Sequence, residues 1–252
     1  MKRRPLIAGN WKMHLDSVKA RQLAQDLIPA AAARAGNCDV MIAPSPTLLP
    51  VVSEAIKDSV IILGAQNVCW ATQGAFTGET SPAMLLELGC RMAIIGHSER
   101  RHIFAEDDRL INKRLSGALE HGLIPILCLG ETLEARQQDQ TFKVLEGQLR
   151  SALINISIKN PAKLIIAYEP VWAIGTGQTA TTEQAQEVHV FLRQLIGDIF
   201  DKTIASGIRI LYGGSVKPET MAALMSQEDI DGVLVGGAAL DAESFSKIIN
   251  YS

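Results

Sequence analysis

The sequence predicts an α/β protein, a (β/α)₈ barrel in which eight parallel strands are ringed by helices. Three observations lead to this fold class: eight short apolar runs, helical patterns between them, and a length of 252 residues. Runs that are apolar throughout are typical of parallel strands covered on both faces. Eight units of about 32 residues leave room for a crossover helix after each strand.

The apolar runs define the candidate strands in order along the chain. They span residues 6–8, 40–43, 60–63, 93–95, 124–129, 164–168, 208–212 and 233–235. Apolar residues spaced three and four apart predict helices between them, the clearest being 16–35, 107–121, 181–199 and 242–249. A strand count does not prove closure, so an open doubly wound sheet is the alternative.

Composition indicates one globular domain over residues 1–252. Hydrophobic residues make up 47% and charged residues 20%, and no linker or low-complexity tract divides the chain. The net charge of −3 offers no basic field for nucleic acid or an anionic membrane. No apolar run reaches the roughly 18 residues that span a bilayer, and the apolar stretch after the basic start is too short for a signal peptide. We expect a cytoplasmic protein that binds neither nucleic acid nor membrane.

The four cysteines are widely separated. Cys38, Cys69, Cys90 and Cys128 contain no C-x-x-C spacing, which argues against a disulfide framework and against a zinc site. We therefore expect buried free thiols and no metal.

Polar residues follow the predicted strands, and this pattern points to the chemistry. Asn10 and Lys12 follow the first strand, His97 and Glu99 follow the fourth, and Glu169 ends the sixth. Glycine pairs come after the last two strands, in Gly213-Gly214-Ser215 and Gly236-Gly237, where barrels often bind phosphate through backbone N–H groups. The carboxyl ends of barrel strands open on one face, so we expect these residues to converge there.

Each of these residues alone also has a simpler structural explanation. Lys12 could be a solvated loop charge, His97 a loop histidine, and Glu169 the partner of a lysine or arginine. A carboxylate at the end of an apolar strand is nevertheless costly unless it is paired or used. A nucleotide is not expected, because Gly175-Thr176-Gly177 lacks a third glycine and does not directly follow a strand.

Five segments make the chain resemble the triosephosphate isomerase family along essentially its whole length. They are GNWKM at 9–13, GHSER at 96–100, AYEPVWAIGTG at 167–177, YGGSV at 212–216 and VGGA at 235–238. The resemblance implies a TIM barrel isomerase of glycolysis and gluconeogenesis. Such an enzyme interconverts dihydroxyacetone phosphate and D-glyceraldehyde 3-phosphate through an enediolate, without a cofactor or a metal.

The resemblance also implies roles for individual residues. Glu169 would be the catalytic base, because one carboxylate can reach both carbons between which the proton moves. His97 would be the electrophile, and its place just before a helix start favours a neutral imidazole. Lys12 would offset the substrate's negative charge, Asn10 would help to orient the substrate, and Glu99 would hold Lys12 in place.

By the same resemblance, the phosphate would be bound by backbone N–H groups of Gly175, Ser215, Gly236 and Gly237. Residues 170–177 would form a lid that excludes water from the intermediate.

The chain departs from the common family pattern at a few positions. His14-Leu15 stands where Asn-Gly is frequent, Gln178 where lysine is, and Ala239 where serine is. None of these removes a catalytic group, but Gln178 bears on lid kinetics and Ala239 on a contact near the phosphate.

The segment from Gln66 to Glu79 resembles the loop with which dimers of the family reach into the partner subunit. A homodimer is therefore implied, in which Thr77 approaches the partner's Asn10 and His97 and Glu79 pairs with Arg100 across the interface. The alternative is a solvent loop, although so long a stretch without a helix is uncommon unless it is functional.

Two other functions remain open from the sequence. One is a Schiff-base aldolase with Lys12 as nucleophile, although such a lysine is usually desolvated or beside another cation, whereas Lys12 has Glu99 as an expected neighbour. The other is a non-catalytic barrel that binds a phosphosugar, which would not need the combination of Lys12, His97 and Glu169.

Overall fold

The fold is a closed parallel barrel, seen in a computed structural model that describes residues 3–173 and 180–251. Its strands are β1 Leu6–Asn10, β2 Asp39–Ala43, β3 Ile62–Ala65, β4 Met92–Ile95, β5 Ile124–Leu129, β6 Ile165–Tyr168, β7 Arg209–Tyr212 and β8 Gly232–Val235. Each strand pairs in parallel with the next, and β8 pairs with β1. The predicted (β/α)₈ barrel is confirmed, and the open doubly wound alternative is wrong.

Helices surround the barrel. Those of the described ranges are α1 Ser17–Ala33, α2 Leu49–Ala55, α3 Pro82–Glu87, α4 Ser98–His102, α5 Asp108–Glu120, α6 Leu133–Gln137, α7 Thr141–Ala152, α8 Thr182–Ile199, α9 Lys202–Gly207, α10 Pro218–Met225 and α11 Ala242–Ile249. The predicted helix starts at Asp16, Asp107 and Thr181 are N-cap residues, each one residue before its helix begins. Their side chains accept a backbone N–H from the first turn of the helix. Within the described ranges, no helix has the length and apolar character needed to cross a bilayer.

The third strand lies two residues later than predicted. The run at 60–63 was expected, but Ser59 forms a turn in which its hydroxyl donates to the carbonyl of Ile56 and accepts from the N–H of Ile61. Val60 is consequently 51% exposed. The strand therefore begins at Ile62, and its end carries the chain directly to Gln66 at the rim of the barrel.

Two layers of apolar side chains hold the barrel rigid. Alternate strand residues fill its interior, among them Leu6, Met41, Met92, Ile94, Ile126, Cys128, Ile165, Leu211 and Leu234, and the other layer lies between the strands and the helices. Gly64 leaves room for Met41, since a Cβ on Gly64 would lie only 2.0 Å from the Met41 Cε. All four cysteines are buried and unpaired, as the sequence predicted.

The contact between β8 and β1 requires a glycine. Gly232 pairs with Leu6 and has φ +143°. A Cβ at this position would lie 2.0 Å from the Leu6 carbonyl oxygen, which belongs to the backbone and cannot turn away. Closure of the barrel therefore depends on the absence of a side chain at Gly232.

We predict that Gly232→Ala lowers the free energy of unfolding by at least about 2 kcal/mol, because both the backbone conformation and the strand spacing oppose a side chain. The matched control is Gly147→Ala in α7, where the new methyl group meets no atom within 4 Å. That change should leave stability unaltered or raise it by up to about 1 kcal/mol. Urea denaturation measures both, and a Gly232→Ala protein as stable as the wild type would contradict the prediction.

Candidate active site

The carboxyl ends of the strands open onto a pocket of about 410 Å³. The pocket is lined by residues from both ends of the chain, namely Asn10, Lys12, His14, His97, Glu169, Gly213, Gly214, Ser215, Val216, Lys217, Leu234, Val235, Gly236, Gly237, Ala238 and Leu240. Most of the predicted site residues at the ends of strands β1, β4, β6, β7 and β8 thus line one cavity, whereas Glu99 does not line it. Gly175 lies outside the described residues.

Glu169 and His97 face each other at the wall of this pocket. The carboxylate oxygen Oε1 of Glu169 lies 3.2 Å from His97 Nε2, and Oε2 accepts the backbone N–H of Ser98 at 2.9 Å. Both side chains are more than nine-tenths buried. Among the residues that the structure describes, no lysine or arginine pairs with Glu169. The alternative that Glu169 serves as the partner of a lysine or arginine is therefore not supported.

The tautomer of His97 follows from its position as the N-cap of α4. Its Nδ1 accepts the backbone N–H of Glu99 at 3.2 Å. A ring nitrogen that accepts a hydrogen bond carries no proton, so the proton of the neutral ring lies on Nε2. The N–H of His97 is therefore on the side of Glu169 and the pocket.

Lys12 is held in an uncommon backbone conformation by two side chains. Its φ is +51°, in the left-handed region that non-glycine residues rarely adopt. The N–H of Lys12 donates to Asn10 Oδ1 at 3.0 Å, and its carbonyl accepts from Gln66 Nε2 at 2.7 Å. The same amide group of Gln66 donates to the carbonyl of Ala43 at 2.9 Å. Asn10 and Gln66 thus fix the direction in which the lysine side chain leaves the backbone.

The ammonium group of Lys12 is paired with Glu99. The two charged atoms, Lys12 Nζ and Glu99 Oε1, are 2.6 Å apart. Partial burial by itself would raise the pKa of Glu99, but the hydrogen bond from Lys12 and the positive charge of Lys12 act against it, and the pKa is lowered. Glu99 therefore stays a carboxylate and keeps the lysine extended towards the pocket.

The glycine loop after β8 lies beside the Lys12 side chain. A Cβ on Gly236 would be 3.3 Å from the Cε atom of Lys12, whereas one on Gly237 would meet nothing within 4 Å. The backbone here is consequently open to the pocket and adjacent to a cation. Ala239, where the family often has serine, is fully buried in a 3₁₀ turn and does not line the pocket.

The beginning of the expected lid is fastened to the loop after β5. Glu131 is fully buried, and its Oε1 accepts from Trp172 Nε1 at 2.9 Å and from the Tyr168 hydroxyl at 3.1 Å. Burial and then the charge of Glu131 raise the pKa of Tyr168. Arg136 lies 3.5 Å from Glu131 and packs over the Trp172 ring. The rest of the expected lid, residues 174–177, and Gln178 lie outside the described residues.

Sequence reasoning missed several residues at this site. His14 and Lys217 line the pocket, and their closeness in sequence to Lys12 and Ser215 was the available signal. Gln66 and Glu131 act on residues of the site from the loops after β3 and β5. Gln66 belongs to the stretch GAQN that follows the third predicted strand, whereas no local motif marks Glu131. Within the described ranges, no three His, Cys, Asp or Glu side chains form a group that could hold a metal ion.

Comparison with known proteins gives one consistent family. The profile described as triosephosphate isomerase matches residues 5–252. The triosephosphate isomerase of Geobacter metallireducens is 51% identical over 249 residues, which cover 99% of each chain. Those of Citrifermentans bemidjiense and of Clostridium botulinum strain Langeland are 49% and 50% identical over 250 and 249 residues, covering 99% of this chain and 99% and 100% of the relatives.

The position of Glu169 depends on the glycine that follows β7. A Cβ on Gly213 would lie 2.8 Å from the Glu169 Cγ and 3.3 Å from the Tyr168 carbonyl oxygen. We predict that Gly213→Ala displaces the Glu169 carboxylate from the Ser98 N–H, which a crystal structure of the variant would reveal. Gly197→Ala is the control, because its methyl group would make only ordinary contacts. An unchanged distance of 2.9 Å between Ser98 N and Glu169 Oε2 would contradict the prediction.

Proposed function

The chain belongs to the triosephosphate isomerase family, and on that premise we propose that Glu169, His97 and Lys12 carry out the isomerisation in the pocket described above. The reaction interconverts dihydroxyacetone phosphate and D-glyceraldehyde 3-phosphate. The observation that carries the assignment of residues is the 3.2 Å contact between Glu169 Oε1 and His97 Nε2, which places a base beside an N–H donor. We further propose a single domain over residues 1–252 and a location in the cytoplasm.

Glu169 is the proposed base. Its carboxylate takes a proton from one carbon of the bound triose phosphate and returns it to the adjacent carbon, so the group ends each turnover as it began. A carboxylate has two equivalent oxygens on a short side chain, which suits a transfer between neighbouring atoms. The burial of Glu169 keeps water from competing for the same proton.

His97 and Lys12 are proposed to stabilise the charge that develops on the substrate oxygens. The Nε2–H of His97 can donate to either oxygen of the enediolate, because the ring is held from behind by the N–H of Glu99. Lys12 supplies a positive charge in a fixed direction, and Asn10 lies beside it as a further polar group of the pocket. Glu99 is the proposed positioning residue for Lys12.

The phosphate group is proposed to bind at the glycine loops. Ser215, Gly236 and Gly237 line the pocket that Lys12 also lines, and Gly175 is proposed to complete the cradle. Small residues allow phosphate oxygens to approach backbone N–H groups closely. Closure of residues 170–177 over the substrate would exclude water, and the hydrogen bonds from Tyr168 and Trp172 to Glu131 hold the start of this segment.

The alternative functions have less support. A Schiff-base aldolase needs a free amine on Lys12, whereas this side chain forms an ion pair with Glu99 at 2.6 Å. Borohydride trapping with dihydroxyacetone phosphate would label Lys12 only in the aldolase. A barrel that merely binds phosphosugars has no use for a base and an N–H donor held 3.2 Å apart.

We predict that Glu169→Gln lowers kcat for glyceraldehyde 3-phosphate isomerisation by about 10²–10⁴-fold, because the amide keeps the shape of the side chain but cannot accept the proton. KM should change little, since the phosphate is bound elsewhere in the pocket. A coupled assay on the purified protein measures both constants. Glu54→Gln in α2 is the matched control, because this exposed carboxylate is remote from the pocket and should leave the rate unchanged. Wild-type activity in Glu169→Gln would overturn the assignment of the base.

We also propose that the chain forms a homodimer through the loop of residues 66–79. This loop contains no helix or strand, and its tip at Thr77 is exposed. Its base is anchored by Arg114, which donates to the carbonyl of Val68 and to both carboxylate oxygens of Glu79. A rigid projecting loop is suited to enter a second subunit, where Thr77 would approach the partner's Asn10 and His97.

The proposed pairing of Glu79 with Arg100 across the interface has competitors within the chain. Glu79 is bound by Arg114, and Arg100 is bound by Glu106 at 2.6 Å. The hydrogen bond from Arg114 lowers the pKa of Glu79 and outweighs partial burial, which acts in the opposite direction. An intersubunit pair would therefore add to these contacts and would not be the main partner of either residue.

The homodimer is tested by Thr77→Arg, which places a charge at the tip of the loop. We predict a monomer in sedimentation velocity and a loss of activity of more than about tenfold, because the partner loop would no longer support the pocket. Thr203→Arg, at an exposed position in α9, is the control and should leave both properties unchanged. A wild-type protein that is a fully active monomer at micromolar concentration would refute the proposal.

A further inference from the structure

We propose that Arg101 is a positioning residue for the isomerisation. Its guanidinium joins the end of β4, which leads into His97, to the end of β5, whose Leu129 carbonyl accepts the N–H of Glu169. The inference rests on the proposed function of those two residues. Arg101 does not line the pocket, so it would act through the backbone and not by contact with substrate.

The guanidinium of Arg101 makes three hydrogen bonds. Its Nε donates to the carbonyl of Gly96 at 2.9 Å, its Nη2 to the carbonyl of Cys128 at 3.2 Å, and its Nη1 to Asp108 at 2.5 Å. The side chain is only 8% exposed. A buried arginine with donors directed at two backbone carbonyls holds both of them in a fixed relation, because the guanidinium is planar and rigid.

These two carbonyls lie where the sheet can no longer supply partners. The pairing of β4 with β5 ends at Ile95 and Leu127. Gly96 then turns away with φ +71°, so the carbonyls of Gly96 and Cys128 stand beyond the ladder. Buried carbonyl groups need hydrogen-bond donors, and Arg101 provides them. The strands β4 and β5 are thereby tied together one residue past the end of their own pairing.

Each carbonyl is linked through the backbone to one member of the proposed proton-transfer pair, His97 or Glu169. The Gly96 carbonyl belongs to the peptide bond that leads into His97, so its direction sets the direction of the His97 backbone. Cys128 precedes Leu129, whose carbonyl accepts the N–H of Glu169 at 2.7 Å. Burial and then the nearby carboxylate of Glu169 raise the pKa of the Cys128 thiol.

The absence of a side chain at Gly96 makes this arrangement possible. A Cβ there would lie 3.2 Å from Arg101 Nη2 and 3.3 Å from the Cys128 carbonyl oxygen. The guanidinium thus lies against the backbone of the residue before His97. A merely structural ion pair with Asp108 would not require this close approach.

The test compares steady-state kinetics of Arg101→Gln with two controls. We expect Arg101→Gln to lower kcat by about 10–100-fold with KM within about threefold, because a base and a donor misplaced by a fraction of an ångström transfer protons poorly while phosphate binding is unaffected. Asp108→Asn removes the ion pair but leaves both carbonyl bonds, and its kcat should stay within about threefold of wild type.

Arg193→Gln is the second control. This arginine also donates to backbone carbonyls, in its case three, and to two aspartates, but it does so near the amino ends of β7 and β8, away from the pocket. It should lose stability in urea denaturation and keep kcat. If Arg101→Gln does not fold, Arg101→Lys carries the test, since one ammonium cannot reproduce the planar fork and should show the same selective loss of kcat.

A variant of Arg101 with wild-type kcat would overturn the inference, as would an equal loss of kcat in Asp108→Asn or in Arg193→Gln. A rise of KM in proportion to the loss of kcat would also overturn it. Failure of the proposed function is recognised separately, because it would appear as wild-type activity in Glu169→Gln.

Discussion

The pairing of β8 with β1 is the constraint on which the whole site depends. It gives a parallel sheet without a free edge, in which the carboxyl ends of all eight strands open on one face. Asn10 and Gly236 come from opposite ends of the chain and line the same pocket for this reason. The close approach of Gly232 to Leu6 is the local condition for closure, so a single backbone contact at the amino end of β8 underlies the geometry at the other end.

A second requirement concerns the backbone groups just beyond the ends of the strands, which have no hydrogen-bond partners in the sheet. Long polar side chains provide these partners around the rim of the barrel. Gln66 donates hydrogen bonds to the carbonyls of Lys12 and Ala43, and Arg101 donates to those of Gly96 and Cys128. The hydrogen bond from Gln66, together with that from the Lys12 N–H to Asn10, stabilises Lys12 at φ +51°, a conformation that costs free energy unless its surroundings fix it. These four carbonyls of the rim, near the ends of the strands, therefore have side-chain hydrogen-bond donors.

The sequence was informative where a residue's environment is local. Apolar runs predicted the barrel, and the polar residues directly after the strands predicted the pocket. The third strand was misplaced because Val60 is apolar yet exposed, and the Ser59 turn that excludes it depends on hydrogen bonds that hydrophobicity does not report. Gln66, Arg101 and Glu131 were not predicted for a related reason: each acts on a partner that the fold brings near, such as the Lys12 carbonyl, 54 residues away.

The charges of the pocket indicate how a phosphorylated substrate can be held beside Glu169, the carboxylate that we propose as the catalytic base. Among the described residues, the cations Lys12 and Lys217 are matched by the carboxylates Glu99 and Glu169, so this group has no net positive charge with which to attract an anion. Binding of the phosphate must therefore rely on the positions of individual charged and polar groups and not on the net charge. Glu99 keeps Lys12 extended before substrate arrives, which avoids part of the roughly 2 kcal/mol of rotamer entropy lost when a free lysine is fixed. Backbone N–H groups at the glycine loops can then carry the phosphate without adding a cation that would weaken Glu169 as a base.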